Sequence, residues 1–248
     1  MKLILPILAS KNNSFPSIIK GAFKTWGSLN IPNIKVFAYF GGYSKEEMID
    51  NELHLSEDDT NLLTKTIKAF EFCLKNFEFD YLIRPNASTF VRLDALYKYL
   101  EDKPRKNYYA GHEIIINLKP NEELYFKTKQ VKYPSGTAMM YSRDMIENIV
   151  SNKNEIKYSG YGDDFDIGLY FQRSDVLMTE KVPHIPFVDY NLDFLKNTPK
   201  SILEKYIFFR CKTEQLNFTN LTQNFLLMNP RFRNDTEKME YLYNIFYK

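Results

Sequence analysis

The chain has 248 residues but only two cysteines, one tryptophan and three histidines, with a formal net charge of +2. Each scarcity removes a class of function. Cys73 and Cys211 are far apart and fit no metal-ligand spacing. Cys73 falls on the apolar side of a predicted helix, which suits a buried free thiol and a reducing compartment. His54, His112 and His184 are scattered and share neither a metal nor a triad spacing. A charge this close to neutral leaves no electrostatic footprint for nucleic acid, so no nucleic-acid partner is expected. No apolar run is long enough to span a bilayer, so no transmembrane segment is expected. The opening MKLILPILAS has a short apolar run broken by Pro6. It reads as a first strand rather than a signal peptide, and a cytoplasmic location is the expectation. A P-loop, a G-x-G-x-x-G and a G-x-S-x-G are all missing, which sets aside the commonest kinase, dinucleotide-dehydrogenase and hydrolase signatures.

What is present is a hydrophobic share of 44%, enough for one sizeable core, and an aromatic share of 16%. Tyrosine-rich clefts bind sugars and bases, but an AT-rich coding composition accounts for the same counts. Strand and helix patterns alternate along the first half. Lys2–Leu8 is predicted as a strand, Phe15–Trp26 as a helix with Trp26 in the core, and Val36–Phe40 as a second strand. Ser44 to Leu55 reads as a polar connection. The clearest helix runs from about Asp58 to Phe77, where Leu63, Ile67, Phe70, Leu74 and Phe77 step by four and three. Ser56 and Asp59 resemble a capping box at its start.

Tyr81–Arg84 is a third strand, ending in the polar turn Arg84-Pro85-Asn86-Ala87-Ser88. A helix follows from about Arg92. Tyr108–Gly111, Glu113–Leu118 and Gly136–Tyr141 read as further strands, with a loop or hairpin over Lys119–Lys132. Ser142 is placed to cap a helix with Met145, Ile146, Ile149 and Val150 inward. The loop Tyr158–Gly162 leads into a helix over Phe165–Arg173. Ile207–Arg210 is a late strand and Thr236–Tyr247 a terminal helix. Alternation followed by mixed strands implies a single α/β domain with a mixed, mostly parallel sheet and helices on both faces. In such sheets ligands meet the carboxyl ends of the strands, which points to Leu8–Ser10, the region near Phe40 and the tip after Arg84.

Three groupings could carry chemistry. Asp163-Asp164 sits behind a glycine-containing loop and ahead of a helix; backbone N–H groups there favour ionised carboxylates, and an ionised aspartate can deprotonate a hydroxyl. Simple helix capping uses the same residues. Asn86 and Ser88 offer neutral oxygens that can hydrogen-bond a diphosphate, a ribose or a sugar hydroxyl, and an ordinary Asn/Ser turn looks identical. Phe209-Arg210-Cys211-Lys212, with Arg231 and Arg233 downstream, could hold phosphate oxygens, or could be a solvated basic surface.

In order, several segments resemble the nucleotide-sugar-dependent glycosyltransferases of the beta-1,3-galactosyltransferase and Fringe-like superfamily. AFKTWG (Ala22–Gly27) is similar to its Arg-x-Thr-Trp-Gly element, with Lys24 for Arg. DDTNLLTKT (Asp58–Thr66) resembles its Asp-x-x-x-Asn-Leu-Thr-x-Lys-Thr helix start. FDYLIRPNASTFVRLDALYKYL (Phe79–Leu100) stands where the family has strand, Asp-x-Asp, Phe-Val-Asn and helix. YAG (Tyr109–Gly111), YPSGTAMMYSRDMI (Tyr133–Ile146) and GDDFDIG (Gly162–Gly168) resemble its Tyr-Ala-Gly, Tyr-Pro-x-Tyr-x-x-Gly-x-x-Tyr-x-x-Ser and Glu-Asp-Val-x-x-Gly elements. The resemblance covers roughly residues 20–170.

The resemblance implies a single GT-A-type domain over 1–248, with a nucleotide-binding part over roughly 1–110 and an acceptor and catalytic part beyond it. It implies an inverting hexosyltransferase that moves a sugar from a nucleotide-sugar, UDP-linked in this family, to a glycan or glycoconjugate acceptor. Asp164 takes the place of the catalytic base, with Asp163 beside it. Ser10, Lys65, Arg84, Asn86, Ser88, Arg210 and Lys212 are the expected nucleotide-sugar contacts. Gly111, His112 and Gly136 are the expected acceptor contacts. The departure is at the metal motif, where Asp-x-Asp becomes Asn86-Ala87-Ser88. No residue is therefore assigned to a metal. Mn²⁺ or Mg²⁺ would reach the protein only through diphosphate oxygens, water and an acid such as Asp163. Arg210 and Lys212 are expected to replace the cation. The rivals are a non-catalytic glycan-binding protein on a decayed transferase fold, and a nucleotidyltransferase. The second would want a Gly/Lys-rich loop after the first strand, and Ser10–Ser14 has one lysine and no glycine.

Overall fold

The computed structural model describes residues 1–12, 15–182, 184–185, 192–212 and 228–248, with the side chains of 184–185 and 228–233 outside the description. Strand β1 (Leu3–Leu8) is buried throughout. Leu3, Leu5 and Ile7 join one core, and Ile4 and Leu8 join another on the opposite side. A strand covered on both faces needs an unbroken apolar run, which LILPIL supplies. Its ladder to β5 (Tyr81–Arg84) includes Leu3 and Ile4 and resumes where the Leu8 N–H donates to Pro85 O at 3.0 Å. Pro6, with no N–H to give, sits in the gap between.

Helix α1 (Phe15–Lys24) buries Ile18, Ile19 and Ala22 in the first core, and a 3₁₀ turn at Trp26–Ser28 places Trp26 fully inside. Strand β2 (Ile34–Phe40) pairs parallel with β1. The expected polar connection after it is instead a hairpin, β3 (Glu47–Ile49) and β4 (Glu52–His54). It extends the sheet by turning Leu53 inward, fully buried between two partly exposed polar neighbours, with Met48 packed against the same core. Helix α2 (Leu62–Asn76) begins later than the sequence suggests. Its cap is Asn61, whose Oδ1 accepts the Thr64 N–H at 3.2 Å. Ser56 and Asp59 form no capping box, because Asp59 is used elsewhere.

Between the polar turn after β5 and the helix lies a short strand not expected from the sequence, β6 (Thr89–Val91), followed by α3 (Leu93–Leu100). The two strands expected near residue 112 are one, β7 (Tyr109–Asn117), with a register shift between Gly111 and Glu113. The expected loop over Lys119–Lys132 contains α4 (Pro120–Phe126) and the start of the long β8 (Gln130–Ser142). Ser142 precedes α5 (Arg143–Ser151) but makes no side-chain cap; its Oγ accepts the Tyr108 N–H and bonds the Asp144 carboxylate. Then follow α6 (Asp163–Arg173), β9 (Glu180–Lys181), β10 (His184–Ile185), α7 (Leu192–Asn197), α8 (Lys200–Leu203), β11 (Phe208–Arg210) and α9 (Met228–Tyr247).

The main sheet runs β3-β4-β2-β1-β5-β8-β7-β9, and a small one runs β10-β11-β6. In the main sheet four neighbour pairings are parallel (β4–β2, β2–β1, β1–β5, β7–β9) and three antiparallel. Helices α1, α3 and α9 cover the face of Leu5, and α2, α5 and α6 cover the face of Ile4. The chain is thus an α/β protein with a mixed sheet between helical layers. Cys73 is a buried free thiol on α2, and Cys211 is buried too. Among the described residues no helix is long and apolar enough to cross a membrane.

Candidate functional site

The carboxyl ends of β1 and β5 open on a cleft of about 500 Å³. Its walls include Ser10 after β1, Asn86 and Ser88 after β5, Asp164 at the start of α6, and Arg210 and Lys212 at the end of β11. The edge near Phe40, also expected here, is 3% exposed and is not among the lining residues.

Strand β6 explains how a segment more than a hundred residues downstream reaches the tip. β11 pairs antiparallel with β6, setting Arg210 opposite Thr89 and Phe209 opposite Phe90. The Cys211 N–H then donates to Ser88 O at 2.7 Å. Lys212 follows beside the tip. Arg231 and Arg233, the other expected basic residues, have side chains outside the described set.

Arg84 is the hub beneath the cleft. It is 1% exposed. Its Nη1 donates to Asn86 Oδ1 at 2.7 Å and to Gly136 O at 3.0 Å, while Nη2 bonds the Asp163 carboxylate. Burial alone would lower its pKa, but attraction to Asp163, Tyr39 and Asp164 outweighs that and raises it. Asp163 also accepts from Thr66 Oγ1 at 2.8 Å, and Thr66 is 2.7 Å from Tyr39 Oη. Asp163 is thereby consumed by the interior, and it is 2% exposed.

Asp164 differs. Its Oδ2 accepts the Gly136 N–H at 2.8 Å and its Oδ1 accepts its neighbour Phe165 N–H at 2.9 Å, while one edge remains open to the cleft. Burial raises its pKa first, and the Asp163 charge adds to this; Arg84 and the two N–H donors oppose but do not cancel them. A carboxylate held near backbone donors, with a raised pKa and an open edge, can accept a proton from a hydroxyl. Gly162, at φ +148, makes the sharp entry into α6 that presents it. Gly136 is expected to touch the acceptor, yet it lies outside the cleft lining and acts through its backbone. Its N–H holds Asp164, and its carbonyl accepts from Arg84 and from the Asn86 N–H at 2.9 Å. A Cβ there would stand 2.8 Å from Arg84 Nη1 and 2.9 Å from Asn86 Nδ2.

Lys65 requires a correction. Expected to meet the donor, it is fully buried behind the cleft wall. Its three ammonium protons have three acceptors: Ala9 O at 2.7 Å, Asp59 O at 2.9 Å and Asp59 Oδ1 at 2.9 Å. Nothing remains for a ligand. Burial lowers its pKa although Asp59 pulls the other way. Asp59 is the residue that the sequence reading misplaced at a helix cap. Its carboxylate also accepts from Gly41 N–H at 2.9 Å, Ser10 Oγ at 2.5 Å and Lys11 N–H at 2.9 Å. Burial pushes its pKa up, but the bonds from Ser10, Lys65 and Gly41 win and the net shift is downward. The separation of Ser10, Lys11 and Gly41 from Asp59 in sequence hid this role.

Gly111 and His112 lie at the irregularity in β7, where Gly111 pairs with Met139 and Lys181. Neither lines the cleft. His112 has its pKa lowered, first by burial and further by the Arg210 charge, against an opposing pull from Glu113.

A divalent ion fits poorly. At the tip, Asn86 Oδ1 already accepts from Arg84. Asp163 is paired and both Asp59 oxygens are saturated. Among the described residues no group of three or more His, Cys, Asp or Glu could hold a metal. Arg210 and Lys212 are cationic side chains that line the same cleft. The chain matches no protein-family model and resembles no curated protein closely enough to count as a match.

Proposed function

We propose that the chain is an inverting glycosyltransferase of GT-A type that uses a nucleotide-sugar donor, UDP-linked in the family that it resembles, and extends a glycan. The observation that carries this is the meeting of Asp164 with Arg210 and Lys212 across one cleft at the carboxyl ends of β1 and β5. An anion-stabilising side and a proton-accepting side are the two things a single displacement needs. The acceptor hydroxyl gives its proton to Asp164 as its oxygen bonds the anomeric carbon. The bond from that carbon to the diphosphate breaks, and the nucleoside diphosphate leaves with the electron pair. Arg210 and Lys212 balance the charge that builds there. Asn86 Nδ2 and Ser88 Oγ donate to donor oxygens, and Ser10 marks the floor of the same cleft. Arg84 and Asp163 position Asn86 and Asp164 from below.

One feature favours a second reading. The strand tip has no carboxylate, as in a binding protein on a decayed transferase fold. A thermal-shift screen of nucleotide-sugars, with chelator and with Mn²⁺, separates the two. A ligand that binds the native state raises the melting temperature, by about 2.7 kcal/mol of stability at a hundredfold excess over Kd. The transferase reading expects a shift with at least one nucleotide-sugar under chelation. Glycan binding with no response to any nucleotide-sugar would favour the binding protein.

A further inference from the structure

A second cavity, of about 560 Å³, adjoins the same loop that borders the cleft. The loop is Tyr158–Gly162. Tyr158 lines the second cavity, and Tyr161 and Gly162 line the cleft. The loop is held rather than free: Ser159 N–H donates to Asp166 at 3.2 Å, and Ser159 Oγ bonds the same carboxylate. Tyr161 is pinned as well. Its hydroxyl bonds Glu122 of α4, and its ring stacks on Phe165 at 4.6 Å and 22°.

From Tyr161 a row of rings continues without a break. Phe165 meets Phe126 at 5.4 Å, and Phe126 meets Tyr125 at 4.8 Å, both edge to face. Phe126 and Tyr125 line the second cavity. The two middle rings, Phe165 and Phe126, are buried, and the ends are exposed: Tyr161 is 47% exposed and Tyr125 70%, with Tyr158, 50% exposed, also lining the second cavity. The pinned Tyr161 ring costs little ordering entropy on binding, and the flat apolar faces of tyrosine rings match the C–H faces of sugar rings. The charges beside them have mixed sign, with Lys127, Lys157 and Arg173 against Glu155 and Asp166. That pattern selects no single charge and offers donors and acceptors to hydroxyl groups.

We propose that this cavity is a saccharide subsite. The units of a neutral oligosaccharide acceptor behind the reacting hydroxyl run from the exposed ring of Tyr161, past the buried Phe165 and Phe126, and end between the exposed rings of Tyr158 and Tyr125. This rests on the transferase reading of the cleft, and it adds a preference for acceptors longer than a monosaccharide.

The test is binding of the purified chain to an array of neutral oligosaccharides, two to six units long, with Y125A, Y158A, Y158F and L177A alongside. Leu177 is 78% exposed and lines neither cavity, so L177A controls for general stickiness. Melting temperatures confirm that each variant is folded. The expected result is wild-type binding that grows with length. Y125A and Y158A should each lose about tenfold, the size of a central aromatic contact, while Y158F and L177A keep it. Wild-type binding to none of the oligosaccharides, or equal binding by Y125A and Y158A, overturns the subsite. The nucleotide-sugar thermal shift is read separately. A shift without oligosaccharide binding leaves the transferase reading standing and removes the subsite. Ring-dependent oligosaccharide binding without any shift keeps the saccharide site and removes the transferase reading.

Discussion

Two buried ion pairs stand behind the cleft, and they are built for different ends. Lys65 and Asp59 form a closed knot. Every ammonium proton and both carboxylate oxygens are spent, on the loops that follow β1 and β2. Arg84 and Asp163 form an open one. The planar guanidinium divides its donors among Asp163, Asn86 and Gly136, and Gly136 in turn holds Asp164. A lysine offers a compact charge that suits a knot, whereas arginine's fork can fix several groups in one plane. Lys65 and Thr66 are successive residues of α2, which point about 100° apart on a helix, so one helix serves both acids. The first pair shapes the walls; the second reaches the groups that would touch a ligand.

The largest expected effect lies beyond the open pair. D164N should keep nucleotide-sugar affinity and lower turnover by about 10²–10⁴-fold, the usual value of a general base. Steady-state kinetics with a responsive acceptor decides it, and near wild-type turnover would end Asp164's role. Because burial raises the pKa of Asp164 above 3.8, the acidic limb of the rate profile should sit higher than for an ordinary aspartate, with activity rising as pH rises through it.

Breaking either pair should come next in size. K65M and R84M each leave a buried acid without its counter-charge, which costs about 3–5 kcal/mol, measurable by urea unfolding. The comparison predicts that they part in function. Cooled until both are folded, R84M should have lost turnover, because Asn86 and Gly136 lose their anchor, and K65M should retain more. Equal losses would erase the distinction between knot and hub.

A smaller effect concerns the loop between the cavities. Burial lifts the Asp166 carboxyl from 3.8 to about 6, against the pull of the Ser159 bonds. The native state therefore holds this proton more tightly than the unfolded chain. Its contribution to stability is present at low pH and is lost as pH rises from about 4 to about 6. At about 1.4 kcal/mol per pH unit the whole loss is roughly 3 kcal/mol. D166N lacks this titration, so its melting temperature should gain on the wild type across that range. A constant gap between the two would refute the assignment.

Much of the fold was legible because periodicity survives in it. The continuous run of β1 and the four-three stripe of α2 announce a strand buried on both faces and a helix buried on one. What failed were short elements. β3, β4 and β6 have three residues each and exist only because a neighbour pairs with them. Missing β6 meant missing the reason Cys211 meets Ser88 and Arg210 reaches the cleft. In the site, polar residues at a strand tip could be placed at the cleft from order alone. The fate of an acid or cation could not: Lys65 looked available, and only the positions of Ala9 and Asp59 reveal that its charge is spent.

The central claim is that Arg210 and Lys212, not a divalent ion, balance the diphosphate in this cleft. Nucleotide-sugar turnover by the wild type and R210A, after exhaustive chelation and again with Mn²⁺ added, tests it most directly. The account predicts that chelation leaves wild-type turnover within about twofold of the Mn²⁺ value, since no step draws on a metal Lewis acid. R210A should lose about tenfold or more in both conditions, as expected when a charged hydrogen-bond donor is removed. Turnover that vanishes with chelator, returns with Mn²⁺ and is unharmed by R210A would contradict it.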